Sequence, residues 1–455
     1  MGKPEETKMR GMNDLTTGNV ALKTIGFAIP IIITNLLQAF YNIADMAIIG
    51  RYIGSAGMSA VNIGGQVTMI ILVFALGVSN GGGIIIGQLF GGKQKEKIPS
   101  VVGTMLSFFF LMALFFMIVI YALGVPILKG LDTPPEAYAG TKTYLFICLA
   151  GTIFIYFYNV LAAVLRSVGE SVRPMIFVLI TVILNIGLDI LFVGPLHMGV
   201  AGAALATILS QFVSMCMAIW YVKKIGLFDF KLSSFKIQKD TLKLMLKIGI
   251  PNGLQFGLTN ISFLLIMGFI NQYGVNASAA TGAVTKIGTF AVLPAQALMT
   301  ALISFTAQHI PVQKFKRVIQ SMLVAMAISV CFTGIIFILA HVIPGALLGI
   351  FTTDQAVIET GSEYLKILTI SYMFESVMFC MYGVISGSGN TYYTFGCAIL
   401  SAFIVRLLFT WIFTSFTSMG LLGIGWAYVL APAASGLAAL IFLLTGKWKK
   451  SKMRV

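Results

Sequence analysis

Long apolar runs, broken at intervals by short polar stretches, dominate the chain. The runs recur from Val20 to Thr445. Each is long enough to cross a bilayer as a helix, which takes about 20 residues. Reading the breaks at glycine, proline and charge predicts twelve helices. They lie at 20–49, 56–90, 100–126, 140–168, 172–193, 199–222, 248–273, 276–308, 316–342, 358–387, 391–415 and 420–445. Two of these stretches, 56–90 and 276–308, exceed one span and invite tilt or a bend at their glycines or at Pro294. The expected architecture is an all-α integral membrane protein.

The pattern repeats. Shifting the second half onto the first by about 220 residues, a long-period repeat, sets "FAIPIIITNLLQAF" against "IGIPNGLQFGLTNI" and Pro30 against Pro251. The same shift pairs Gln88 with Gln308, Gly169 with Gly389, Gly199 with Gly420 and Gly202 with Gly423. Six helices per repeat make both halves enter the membrane in one sense. The expected relation is therefore a pseudo-twofold axis along the membrane normal, with two bundles rocking about a central cleft. The implied organisation is a segment 1–19, a six-helix bundle 20–222, a basic linker 223–247, a second bundle 248–445 and a basic tail 446–455.

Composition agrees. Of 455 residues, 58% are hydrophobic and 10% charged, against about 25% charged in soluble domains. The net charge of +15 does not point to nucleic acid, because alternate short loops carry the basic residues. The N-terminal residues Lys3, Lys8, Arg10 and Lys23, "GGKQKEK", "RSVGESVR", the stretch from Lys223 to Lys247, "QKFKR" and the tail hold 24 of the 30. The opposite loops, "LDTPPEAY" and "FTTDQAVIETGSEY", are acidic or neutral. By the positive-inside rule both termini are expected in the cytoplasm of a bacterial or archaeal cell membrane. The polar stretch through about Thr17 leads to the expectation that no cleavable signal peptide precedes the first span. The five cysteines fall inside apolar runs and show neither disulfide nor metal spacing.

The chain resembles the multidrug and toxic compound extrusion (MATE) transporters, in their prokaryotic DinF-like or MepA-like branch, over almost its whole length. The resemblance rests on "AIPIIITNLLQAFYNIADMAIIGRYIGSAGMSAVNIG", "AAVLRSVGESVRPM", "LNIGLDILF", "GPLHMGVAGAALAT" and "GVISGSGNT". It implies a two-bundle secondary transporter of the wider MOP superfamily.

Ionisable residues inside spans are costly and mark function. Asp45 lies in the first span and Asp189 in the fifth. Asn185 stands four residues before Asp189, on the same helical face. Thr207, in the sixth span, returns to that depth. Two carboxylates, an amide and a hydroxyl suit a small hard cation, and crowded carboxylates suit a proton. The same groups would also serve as a hydrogen-bond cluster holding three helices. The resemblance implies H⁺ or Na⁺ coupling at Asp45, Asn185, Asp189 and Thr207, and the residues leave the ion open. In the repeat, Ile266, Arg406 and Thr410 fall opposite Asp45, Asn185 and Asp189. A cluster kept in one half only argues for a task done there.

Glu375 lies deep in the tenth span, as a site for cationic substrate or for a proton, or as a partner of Lys286 or Arg406, the two deep basic residues. Gln255 stands where some relatives carry an acid. Gln38, Tyr41, Tyr156, Asn159 and Phe256 are the candidates for lining a cleft that takes flat organic cations. "SNGGGIIIG" lacks the lysine and hydroxyl of a phosphate loop, so ATP is not expected. No cofactor, catalytic residues or other enzyme machinery are expected either, and the chain is expected to act as a monomer. The competing reading is a lipid or lipid-linked-saccharide flippase. That would call for several basic residues in the cleft, where only Lys286 and Arg406 lie deep.

Overall fold

A computed structural model describes residues 13–450. Fifteen α-helices follow one another among the described residues. They are α1 (Val20–Tyr52), α2 (Ser55–Gly91), α3 (Ile98–Gly130), α4 (Pro135–Ala150), α5 (Thr152–Ser167), α6 (Val172–Val193), α7 (Gly199–Lys224), α8 (Lys239–Asn271), α9 (Val275–His309), α10 (Phe315–Val342), α11 (Pro344–Gly349), α12 (Gln355–Gly387), α13 (Thr391–Ile399), α14 (Arg406–Phe416) and α15 (Gly420–Leu444). A π-helical turn, Leu400–Val405, joins α13 to α14. Among the described residues, eleven helical segments are long and apolar enough to cross a membrane, or twelve when a bent pair is taken as one span. Only α-helices and closed barrels satisfy every backbone group in lipid. An unbroken succession of helices is the outcome that so apolar a chain permits.

The bent pair is α4 and α5, where the sequence reading placed one helix over 140–168. The axis turns by 50° at Gly151. Packing sets the bend. A Cβ on Gly151 would stand 2.5 Å from Cγ1 of Ile208, so α7 approaches the backbone itself here. Thr152 donates its hydroxyl back to the Cys148 carbonyl at 3.4 Å, across the break. A second difference concerns the stretch 223–247. Its last residues, from Lys239, form the opening turns of α8. The run "KDTLKLMLK" interleaves lysines with apolar residues at helical spacing, and that favours helix over linker.

Contacts gather the chain into two units. One holds Ile33–Gly253 with the described residues before Leu15, and the other holds Leu15–Ile32 and Leu254 onward. The division therefore runs through α1 and α8, not between them and their neighbours. In each it falls two residues past an internal proline, Pro30 or Pro251. Proline removes an intrahelical hydrogen bond and crowds the preceding turn, so each helix changes partners where its own ladder is weakest.

Within the first unit, α2 packs on α4 and α5, and α7 on α4, α5 and α6. The opening half of α8 lies hard against α2. A Cβ on Gly77 would meet the Gly253 Cα at 2.3 Å, and one on Gly81 would meet the Met245 carbonyl oxygen at 2.6 Å. Small residues four apart let helix backbones touch, which is how helices associate where lipid removes the hydrophobic drive. The segment just ahead of α8 is tied to α3. Thr104 Oγ1 donates to the Lys236 carbonyl at 3.2 Å and accepts from the Gln238 amide at 3.1 Å.

Within the second unit, α12 packs on α9, α10 and α15. The core there includes Ile266, Val284, Ala291, Leu348, Leu365 and Ile424. The start of α1 and the turn before it are bonded into this unit. Leu15 donates its amide to Gln308 Oε1 at 3.1 Å, Thr24 and Ser321 share a hydrogen bond of 2.8 Å, and Lys314 reaches the Thr16 carbonyl at 2.8 Å.

Candidate functional site

The site begins with a capped helix. Glu170 precedes α6, and its Oε1 accepts from the amides of Val172 and Arg173 at 3.0 and 3.1 Å. Its other oxygen accepts from the Tyr221 hydroxyl at 3.3 Å. This satisfies two of the donors that every helix start leaves open and ties α6 to α7. From that anchor α6 carries Asn185 and Asp189 inward, and the turn after Val193 returns the chain as α7 with Thr207 facing them.

Three of these polar residues are sealed from solvent. Asp45 is 6% exposed, Asn185 1% and Asp189 0%; Thr207 is half-buried. With its amide nitrogen turned toward the acid, Asn185 donates to Asp189 Oδ2 at 2.9 Å, and its oxygen accepts from the Thr207 amide at 3.3 Å. The Tyr41 and Thr207 hydroxyls lie 3.2 Å apart. The carboxyls of Asp45 and Asp189 stand within hydrogen-bonding reach of one another. Each keeps one oxygen, Oδ1, buried with no partner among the described residues.

That arrangement has a chemical consequence. The ion pairs among the described residues are Lys231–Asp229 and Lys366–Glu363, so neither buried acid has a basic counter-charge. Burying a carboxylate without compensation is very costly, and two in contact cannot both stay ionised and bare. A proton between them, or a small cation bound by them, removes the conflict. Carboxylate, amide and hydroxyl oxygens are hard donors of the type a small hard cation prefers.

One helical turn farther along α1 and α6 the surroundings turn apolar. Ile49, Val61, Tyr144, Cys148, Val193, Ala203 and Ala204 form a closed hydrophobic cluster. Ile49 follows Asp45 by four residues, Val193 follows Asp189 by four, and Ala203 precedes Thr207 by four. The polar groups therefore sit beneath an apolar layer built from the same helices.

The remaining sequence candidates scatter. Tyr41, expected on a cleft wall, belongs to the acidic cluster through Thr207. It stands one turn before Asp45, a spacing that could have flagged it. Tyr156, expected to line the cleft, is packed among its neighbours. It is 1% exposed, its hydroxyl donates to the Ile71 carbonyl at 3.2 Å, and its ring meets Phe109 edge-on. Asn159 is half-buried and spends its amide on the Ile155 carbonyl at 2.8 Å. Gln38 is exposed, and Phe256 is half-buried. Gln255 is 4% exposed.

In the second unit, Glu375 accepts from the Ser371 hydroxyl at 3.4 Å. Among the described residues, neither Lys286 nor Arg406 forms an ion pair with it. Lys286 is exposed, with its ammonium 5.9 Å from the Phe351 ring. Arg406 is buried between two rings, its guanidinium carbon 5.1 Å from the centre of Phe263 and 4.7 Å from that of Tyr428. No group of three or more His, Cys, Asp or Glu able to hold a metal occurs among the described residues.

Comparison with known proteins agrees with this architecture. The MatE family model matches twice, at residues 30–191 and 251–412, with the same offset at both ends. The chain is 30% identical over 440 residues to the "Probable multidrug resistance protein YpnP" of Bacillus subtilis, covering 97% of this chain and 98% of that one. It is 25% identical over 426 residues to the "Multidrug export protein MepA" of Staphylococcus aureus, covering 92% of each. A solved structure described as the "Outward-facing conformation of a multidrug resistance MATE family transporter of the MOP superfamily" superposes with a TM-score of 0.89. It covers 99% of this chain and 100% of its own, at 22% identity. Twin matches spanning both repeats, and a relative aligned nearly end to end, show that this chain belongs to the MATE family of multidrug efflux transporters.

Proposed function

We propose that the protein is a secondary active antiporter that exports cationic, lipophilic organic compounds in exchange for H⁺ or Na⁺. The carrying observation is the Asp45–Asp189 pair, two buried carboxyls in mutual reach with no basic partner. A pair in that state is stable only when protonated or when a cation is bound, and so it responds to the concentration of either. Asn185, Thr207 and Tyr41 complete the donor set. The names of the relatives, multidrug resistance and multidrug export proteins, support the substrate class. The basic loops support cytoplasmic termini.

Ion and drug must oppose each other's binding. The ion favours a conformation with weak affinity for the drug, and by linkage the drug weakens the ion's hold by the same factor. ATP has no part in this cycle, and one chain suffices for it. A flippase for lipid phosphates is the poorer reading, because Lys286 is exposed and, among the described residues, Arg406 is the one lysine or arginine that is buried.

The test is transport of a fluorescent organic cation in proteoliposomes under an imposed H⁺ or Na⁺ gradient. One gradient should drive transport, and Asp45→Asn and Asp189→Asn should each abolish the driven component while leaving expression and folding intact. Full gradient-driven transport by both variants would sink the proposal.

A further inference from the structure

The position that mirrors the acidic cluster in the second unit is built with the opposite polarity. Arg406 and Thr410 replace Asn185 and Asp189 in the repeat, and the same offset sets Tyr428 opposite Thr207 and Ile266 opposite Asp45. Arg406 is 4% exposed and Thr410 0%. The Nε and Nη1 of Arg406 and the hydroxyl of Thr410 are all buried with no hydrogen-bond partner among the described residues. The two side chains are four residues apart and share a helix face.

This geometry is constructed. The π-helical turn Leu400–Val405 directly precedes Arg406. Such turns widen a helix and re-aim the side chains that follow, often at functional sites. The Ala402 carbonyl within it accepts the Ser262 hydroxyl at 2.6 Å, which fixes the turn against α8. Phe263 and Tyr428 cover the guanidinium. The rings offset part of the cost of desolvating a cation, but they accept nothing in the guanidinium plane, where its N–H donors point. Glu375 lies within electrostatic range of Arg406 yet outside ion-pair distance.

A buried cation with free donors, beside an orphaned hydroxyl, is the inverse of the Asp45–Asp189 site. We propose that Arg406 and Thr410 bind a small monovalent anion of the chloride class in the second unit. The anion neutralises the guanidinium, accepts from its N–H groups and accepts the Thr410 hydroxyl. Small size follows from the burial of both side chains. The transporter then holds a cation-type site in one repeat and an anion-type site in the other.

The experiment is equilibrium binding of radiolabelled chloride to the detergent-purified full chain, at constant Na⁺ and pH. Wild type should show one saturable site, displaced by bromide and not by gluconate. Arg406→Gln should weaken it at least about tenfold, the scale of a lost charged hydrogen bond. Thr410→Val, which keeps the charge and volume, should weaken it about 2- to 10-fold, and it carries the test if Arg406→Gln fails to fold. Glu375→Gln should leave the site in place or tighten it, because a nearby negative charge is removed. Absence of saturable binding in wild type, or unchanged binding in both Arg406→Gln and Thr410→Val, would overturn the proposal. So would binding that appears only in Glu375→Gln, which would make Glu375 the neutralising partner of Arg406. None of these outcomes depends on drug transport, so they stand apart from the antiport test.

Discussion

The hydroxyls of Tyr41 and Thr207 stand 3.2 Å apart, joining α1 to α7 beside the buried acids Asp45 and Asp189. Under the proposed antiport, that contact would make Tyr41 one of the groups around the coupling ion. Tyr41→Phe keeps the ring and deletes that one bond, worth about 0.5–1.5 kcal/mol. The ion concentration for half-maximal transport should rise by about 2- to 10-fold, with melting temperature and drug specificity little changed. A shift in drug specificity at constant ion affinity would return Tyr41 to the cleft.

Glu170 caps α6 with two backbone bonds and holds Tyr221 of α7 with its second oxygen. Glu170→Ala leaves those amides open at a buried position. The expected loss is about 1–2 kcal/mol, typical of a deleted helix cap. It should be read as a lower melting temperature of the purified protein, with Glu170→Gln intermediate. An unchanged melting temperature in Glu170→Ala would show that water serves the cap equally well.

Gly77 meets Gly253 with no room for a Cβ, whereas at Gly65, on the same helix, nothing lies within 4 Å of an added Cβ. Gly77→Leu must push α8 away from α2, backbone against backbone. Overpacking of this type costs about 1–3 kcal/mol or more. The variant should lose monodispersity or melt well below wild type, and Gly65→Leu should not. Equal behaviour of the two would deny the close approach.

Tyr156 is buried with its hydroxyl on the Ile71 carbonyl. Tyr156→Phe should lower stability by about 1 kcal/mol and leave half-saturating concentrations unchanged across a panel of drugs. A selective change for some drugs would put Tyr156 back among the substrate contacts.

Hydropathy made twelve spans and the parallel repeat legible, because lipid admits no backbone group without an internal partner and so forces long apolar helices. Insertion cost singled out Asp45 and Asp189, because ionisable residues within spans are few, and both are buried in the fold. Periodicity placed Asn185 beside Asp189 on one face.

Other features belong to packing alone. The bend at Gly151 follows from Ile208 on another helix, and nothing near Gly151 in the sequence announces it. The change of partners within α1 and α8 follows from contacts far along the chain, although Pro30 and Pro251 mark where it falls. Tyr41 and Tyr156 are both tyrosines in apolar helices, yet one turns to Thr207 and the other to a backbone carbonyl. Composition and period are properties of one helix in isolation. Which atoms a side chain meets depends on its neighbours, and only the assembled helices supply them.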